Sequence, residues 1–173
     1  MLNIIVLLLI VLLFPFALAS LSLAPWVPTR KKDLKRIREI SDLKPNEIFF
    51  ELGSGTGILS FYLSKHFPDS KIVGIELAYP LYLFCRIKKI FYKNKNLTFK
   101  LRNIYKTNLS NTDAIYYFSK GSNEIIKLKE KFEKELRPGT KIISYAFPIP
   151  EWKPIKVSKP TKKDISIYLY IKN

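Results

Sequence analysis

Two carboxylates and a run of alternating glycines are the residues of this chain with the clearest chemical meaning. The stretch Phe49-Phe50-Glu51-Leu52-Gly53-Ser54-Gly55-Thr56-Gly57 carries an apolar run into an acid and then into three glycines, before a helical pattern resumes at Ile58. A strand that hands its backbone to a glycine turn at a helix N-terminus lets a ligand approach the main chain closely. Unpaired N–H groups and the helix dipole favour negative charge there. Glu76 closes a second apolar run, Lys71-Ile72-Val73-Gly74-Ile75-Glu76, nineteen residues after Gly57. At that spacing an acid ending the second strand meets the ribose hydroxyls of an adenosine ligand. Ile58 stands where a dinucleotide fingerprint needs its third glycine, which disfavours NAD, and no Gly-Lys-Ser/Thr follows, which excludes a P-loop. Taken alone, the glycines also read as an ordinary strand-to-helix turn.

Other chemistries have few residues to work with. One cysteine, Cys85, excludes an intrachain disulfide, and one histidine, His66, leaves no Cys/His zinc cluster, so no metal is expected. Both read as structural: Cys85 lies in an apolar helical pattern, and His66 ends a helix, where a cation suits the dipole. The 173 residues have room for one domain with a real core, and a formal net charge of +16 points to an acidic partner, either an anionic membrane surface or nucleic acid.

The elements that must position the glycine turn follow from periodicity. Residues 4–24 are an uncharged apolar run long enough to span a bilayer as a helix. A cleaved signal peptide is the alternative, since Ala17-Leu18-Ala19 resembles a cleavage site, but no Lys or Arg precedes the run. Arg30, Lys31, Lys32, Lys35, Arg36 and Arg38 follow at once, which by the positive-inside rule places a single-pass membrane anchor with the domain that follows it on the cytoplasmic side. A helix is expected from an N-cap at Thr29, with Leu34, Ile37, Ile40 and Leu43 inward and its basic face outward, against anionic lipid headgroups. The boundaries read as 1–25 for the anchor, 26–45 for the juxtamembrane motif and basic helix, and 46–173 for the ligand-binding domain.

Beyond the turn, a helix from Ile58, a strand over 71–76 and a helix over 78–94 succeed one another. This last helix interleaves Tyr79, Tyr82, Phe84, Phe91 and Tyr92 with Arg86, Lys88, Lys89 and Lys93. A core-facing stripe with a solvated face is expected of it, with an RNA-stacking surface as the alternative. Strands over 97–101, 113–118 and 141–147, a helix from a cap at Ser122, and a terminal antiparallel strand over 165–171 complete the pattern. The fold class is α/β, a Rossmann-like three-layer sandwich around a mostly parallel sheet.

The acid-x-Gly-x-Gly-x-Gly pattern resembles motif I of the class I S-adenosylmethionine-dependent methyltransferases. The resemblance implies that Glu51 faces the methionine amino group of the cofactor, that Gly53, Ser54, Gly55, Thr56 and Gly57 lie against it, and that Glu76 takes both ribose hydroxyls. It also implies that Asn103 and Ile104, after strand three, contact the adenine, although an acid is expected where Asn103 stands. Two flanking segments, Pro25-Trp26-Val27-Pro28-Thr29 and Phe147-Pro148-Ile149-Pro150-Glu151-Trp152-Lys153-Pro154, narrow the likeness. With them the chain resembles the small membrane-anchored lysine methyltransferases related to the enzymes that modify the ATP synthase c subunit and the adenine nucleotide translocase. That likeness implies methyl transfer to a lysine of a membrane-embedded protein substrate. Trp152 and Tyr145 would wall the pocket, and Thr29 and Glu151 would orient the amine. A methyltransferase acting on a small or lipid-like molecule, or on RNA, is the alternative, followed by a non-enzymatic membrane-anchored binding module.

Overall fold

The computed structural model describes residues 29–119 and 121–173, together with Val6. Seven strands, β1 (Ile48–Leu52), β2 (Lys71–Glu76), β3 (Leu97–Leu101), β4 (Ala114–Phe118), β5 (Lys141–Tyr145), β6 (Lys156–Ser158) and β7 (Ile167–Ile171), form one sheet in the order β3-β2-β1-β4-β5-β7-β6. Strands β1 to β5 run parallel, while β7 is antiparallel to β5 and β6 antiparallel to β7. The chain begins in the middle, runs out to β3, and returns to β4 on the other side of β1. That reversal opens a crevice at the carboxyl ends of β1 and β4, where open α/β sheets bind ligands. The short edge strand β6 carries no alternation long enough to be legible in the sequence.

Four helices cover the two faces: α1 (Leu34–Ser41), α2 (Ile58–His66), α3 (Tyr79–Ile90) and α4 (Ser122–Glu135). Strand alternation divides the core between them. Phe49, Ile72, Phe99, Tyr116, Ile143 and Tyr145 point to one face, where Ile37 and Ile40 of α1, Leu59 and Leu63 of α2, and Cys85 of α3 meet them. Phe50, Val73, Ile75, Ile115, Tyr117 and Ile142 point to the other, under Ile125, Leu128 and Phe132 of α4. Because α1 contributes four buried apolar positions or neighbours to the first core (Leu34, Ile37, Ile40 and Leu43), residues 29–45 belong to the same folded unit as the sheet.

Four expectations change. Thr29 is no N-cap: a 3-10 turn, Lys31–Asp33, comes first, and Asp33 stands at the cap position of α1 with its side chain engaged elsewhere. The basic residues do not all face away. Arg36 turns inward, pairs with Asp33 at 2.8 Å, and donates to Ser158 Oγ at 3.0 Å and to the Ile165 carbonyl at 3.0 Å, while Lys32 pairs with Asp164 at 2.7 Å. Those bonds lash the N-terminal segment to the β6–β7 end of the sheet. Helix α3 departs furthest from its expected stripe, since only Cys85 among its residues is buried. The cap of α4 is Gly121, and Ser122 is its first helical residue.

Apart from Val6, the apolar run 4–24 and the Pro-Trp segment 25–28 lie outside the described residues, so the expected anchor does too. Among the described residues no helix is long and apolar enough to cross a membrane.

Candidate active site

The glycine turn sits at the carboxyl end of β1, level with the crevice, and its backbone explains its composition. Gly53, Gly55 and Gly57 have φ of 80°, 54° and 69°, the left-handed region that side chains with a Cβ rarely enter. The amides of Gly53 and Ser54 both donate to the Ile75 carbonyl at 2.9 Å, which closes the turn onto β2. Two glycines also answer to tertiary packing. A Cβ on Gly57 would stand 2.7 Å from the Phe99 ring, and one on Gly74 would stand 2.6 Å from it. Phe99 of β3 therefore fills the space beneath the turn, and Cys85 closes it from α3 by donating its Sγ–H to the Gly55 carbonyl at 3.2 Å. Burial pushes the Cys85 thiol up to about 12, so it is packing and not a nucleophile.

The two acids of the motif have different jobs. Glu76 ends β2 with its carboxylate held by three amides: Oε2 accepts from Gly55 N–H at 2.7 Å, and Oε1 from Leu77 and Ala78 N–H at 2.9 and 2.8 Å. It is thus fixed at the crevice by the turn itself. Glu51 is held by a different partner. It is 3% exposed, and one oxygen accepts from both the amide and the hydroxyl of Ser60, at 3.0 and 2.5 Å, fastening β1 to the first turn of α2. Burial raises its pKa to about 8, with the charge of Glu76 adding to the rise and the Ser60 bonds opposing it. Ser54 Oγ is buried with no partner, and where a Cβ of Gly53 would stand there is nothing within 4 Å. Thr56 is half-buried in the turn. After β3, Asn103 accepts from Tyr105 N–H at 2.8 Å and caps the 3-10 turn Ile104–Lys106, and Ile104 packs against the α4-side core.

The four residues proposed for the acceptor pocket fall into two separate places. Thr29 and Tyr145 lie on the α1 side of the sheet. Thr29 Oγ1 and Tyr116 Oη are 2.7 Å apart, Tyr145 Oη donates to Asp33 Oδ2 at 2.7 Å, and the two tyrosine rings are 6.0 Å apart. Glu151 and Trp152 lie on the α4 side: Glu151 pairs with Lys129, and Trp152 stacks edge-on against Tyr170 and donates to Glu133 at 3.3 Å. The reason is the chain path after β5. Ser144 donates to the Phe147 carbonyl, and Ile149 N–H donates to Tyr170 Oη at 2.9 Å, so the Pro-rich segment crosses the sheet end and descends on the α4 side.

What the α1 side does hold is a hydroxyl cluster under an aromatic wall. Phe118, ending β4, meets Tyr145 edge-on at 5.4 Å, and Phe147 stacks on Phe118 at 6.4 Å with the rings 8° from parallel. Ala146, between Tyr145 and Phe147, takes φ of 76°, a strained turn for a residue with a Cβ, and it directs Phe147 back over the β4 end. Burial pushes both the Tyr116 and the Tyr145 phenols above their ordinary value. At neutral pH they are neutral O–H groups and not bases. Tyr116, Asp33, Phe118, Phe99 and Gly74 were not singled out by motif. The alternation of Tyr116 with Phe118 along β4 was the one local signal that could have marked any of them.

A sequence model of the ANTKMT methyltransferase domain matches residues 51–156, from the Glu51 carboxylate to the first residue of β6. The chain belongs to the ANTKMT methyltransferase family. It is an S-adenosylmethionine-dependent methyltransferase of class I. A protein-lysine N-methyltransferase of Saccharolobus islandicus is 31% identical over 156 residues, 85% of this chain and 92% of that one. Among solved structures, an RNA methyltransferase from Salinibacter ruber in complex with S-adenosyl-L-homocysteine superposes with a TM-score of 0.77 at 22% identity, covering 84% of this chain and 93% of that one. A precorrin-6y C5,15-methyltransferase from Geobacter metallireducens gives 0.66 at 14%, covering 84% and 89%. Such distant likenesses establish the fold. The residues of this ANTKMT-family chain fit the cofactor: a fixed carboxylate at the end of β2, a buried hydroxyl without a partner, and a glycine turn open on the side where a Cβ would stand. Among the described residues no group of His, Cys, Asp and Glu is arranged to hold a metal ion.

Proposed function

We propose that this methyltransferase modifies the side-chain amine of a lysine in a protein that lies in or beside a membrane. The observation that carries the lysine acceptor is the 31% identity, over 85% of the chain, to a protein-lysine N-methyltransferase. When bound, S-adenosylmethionine supplies an electrophilic methyl group on a sulfonium. The chain's own residues then have three tasks. Glu76 and the glycine turn hold the adenosine end, and the position of Asn103 and Ile104 after β3 suits contact with the adenine. Phe118, Phe147 and the Tyr145 ring desolvate an arriving ammonium, which lowers its pKa so that the proton leaves to water and the nitrogen lone pair is free. Tyr116, Tyr145 and Thr29 hydroxyls orient the amine, with Asp33 and Arg36 behind Tyr145, so positioning supplies most of the rate.

The membrane setting rests on the uncharged apolar run 4–24 and the basic residues that follow it, which favour a single pass with the catalytic domain on the cytoplasmic side. Incubating the detergent-solubilised chain with methyl-labelled cofactor and host membranes tests both parts. The expected result is label in a membrane-protein band that yields methyllysine on acid hydrolysis and that is lost with Glu76→Ala. Label that extracts into organic solvent, or that is removed by ribonuclease, would overturn the reading.

A further inference from the structure

Helix α3 is turned inside out. Its apolar side chains at helical spacing, Tyr79, Leu83, Phe84, Ile87, Ile90 and Phe91 just beyond its end, are 41–81% exposed, and the last two reach 79% and 81%. Lys88, by contrast, folds back over the Phe61 ring, 4.4 Å from its centroid, so a cation takes an inward position while isoleucines face out. At 100° per residue the six apolar positions fall within one arc of about 140°. Arg86 and Lys89 border that arc on one side and Lys88 on the other, and Lys93 and Lys95 follow in the turn after the helix. Residues 77–96 contain no acid at all. A contiguous apolar face of this extent is more than scattered surface hydrophobes, and it marks an interaction surface.

We infer that the α3 face, Leu83, Ile87, Ile90 and Phe91 with their basic rim, docks on an anionic lipid bilayer, the helix lying in the interface plane with its apolar arc at the headgroup boundary. The charge decides the occupant. An apolar arc bounded on both sides by Lys and Arg matches acyl chains beneath anionic headgroups, whereas a second copy of a chain carrying +16 would bring two such rims together. The position of the N-terminal segment agrees. Thr29, to which the apolar run 4–24 connects, bonds Tyr116 on the sheet face that α1, α2 and α3 share. One bilayer can therefore receive the run and the helix face together, with the carboxyl edge of the sheet beside it. This inference moves the principal lipid contact away from α1, whose Arg36 is committed to internal bonds. It rests on the membrane reading above.

The test uses the full chain with an environment-sensitive fluorophore on Ile90→Cys and, separately, on Glu130→Cys in α4, an exposed site on the opposite layer; Cys85 is buried and stays unlabelled in the folded protein. On vesicles of phosphatidylcholine with 30% phosphatidylserine, the probe at 90 is expected to shift blue and to be quenched by brominated lipids, and the probe at 130 to do neither. The ratio of lipid-docked to undocked probe at 90, read from the bromolipid quenching because the apolar run holds every variant on the vesicle, should fall about fivefold for each of Lys89→Gln and Lys93→Gln, and at least about tenfold for Leu83→Ser with Ile87→Ser. Equal responses at the two sites, no response at 90, or a shift at 90 that needs protein concentration and no vesicles would overturn the inference. None of these readouts uses methyl transfer, so a chain that methylates solubilised protein while its α3 probe stays unmoved rejects this surface and leaves the acceptor class standing.

Discussion

Replacing Glu51 by Gln tests whether the first acid of the glycine motif is a buried structural group in the cofactor-free protein. Both Ser60 donors reach one oxygen of Glu51, so a Gln carbonyl oxygen in that place keeps both bonds and mimics the protonated acid. The carboxyl has a pKa of 4.5 when exposed and about 8 in the fold, raised first by burial and then by Glu76. Because the folded value is the higher one, the native state binds more protons than the unfolded chain between pH 4.5 and 8, and stability falls as pH rises through that window. The difference of about 3.5 pH units corresponds to at most about 5 kcal/mol, reached by about pH 8 and constant above it. The wild-type protein should lose a few kcal/mol more than Glu51→Gln between pH 5 and 8.5, while the two are near equal at pH 5. Urea denaturation of both chains at each pH measures this, and the subtraction removes the other titrating groups. Parallel stability curves for the two proteins across the window would refute the reasoning, since Glu51 would then be ionised in the native state.

Two further substitutions separate packing from chemistry. Gly74→Ala would place a Cβ 2.6 Å from Cδ1 of Phe99 and 3.0 Å from Cβ of Ser54, so a loss of about 1–3 kcal/mol is expected in urea denaturation. Most of that loss should disappear in a Phe99→Leu background, and equal losses in both backgrounds would reject the steric account. Tyr145→Phe removes the hydroxyl that donates to Asp33, and kcat for lysine methylation is expected to fall about tenfold with cofactor affinity, by calorimetry, unchanged. Trp152→Phe, on the far side of the sheet, should leave kcat within about twofold while keeping the ring against Tyr170; the reverse ranking in steady-state kinetics would return the pocket to the α4 side.

The local features of this protein were legible in its sequence because they are written in backbone geometry and short periods. Alternating glycines announce positive φ, and Gly53, Gly55 and Gly57 all adopt it. Period-2 runs announce strands, and the long ones are present within two residues of their expected ends. Strand, helix and strand in succession announce a parallel sheet, whose right-handed crossovers leave few topologies.

Tertiary structure alone decided which side of the sheet each functional segment occupies. Period-2 alternation shows that Tyr145 has two faces to choose from, but not that the chain after Pro148 crosses the sheet end and carries Glu151 and Trp152 away from it. Helical periodicity shows an apolar arc on α3, but not that Cys85, and not Ile87 and Ile90, would face the core. The inward side is the one whose Cys85 meets the glycine turn, donating to the Gly55 carbonyl. Glu51 makes the same point at the motif itself. Its place before the glycines was evident in the chain, yet whether its carboxylate reaches a ligand or fastens Ser60 depends on how α2 docks. Long-range packing sets that, and spacing along the chain does not carry it.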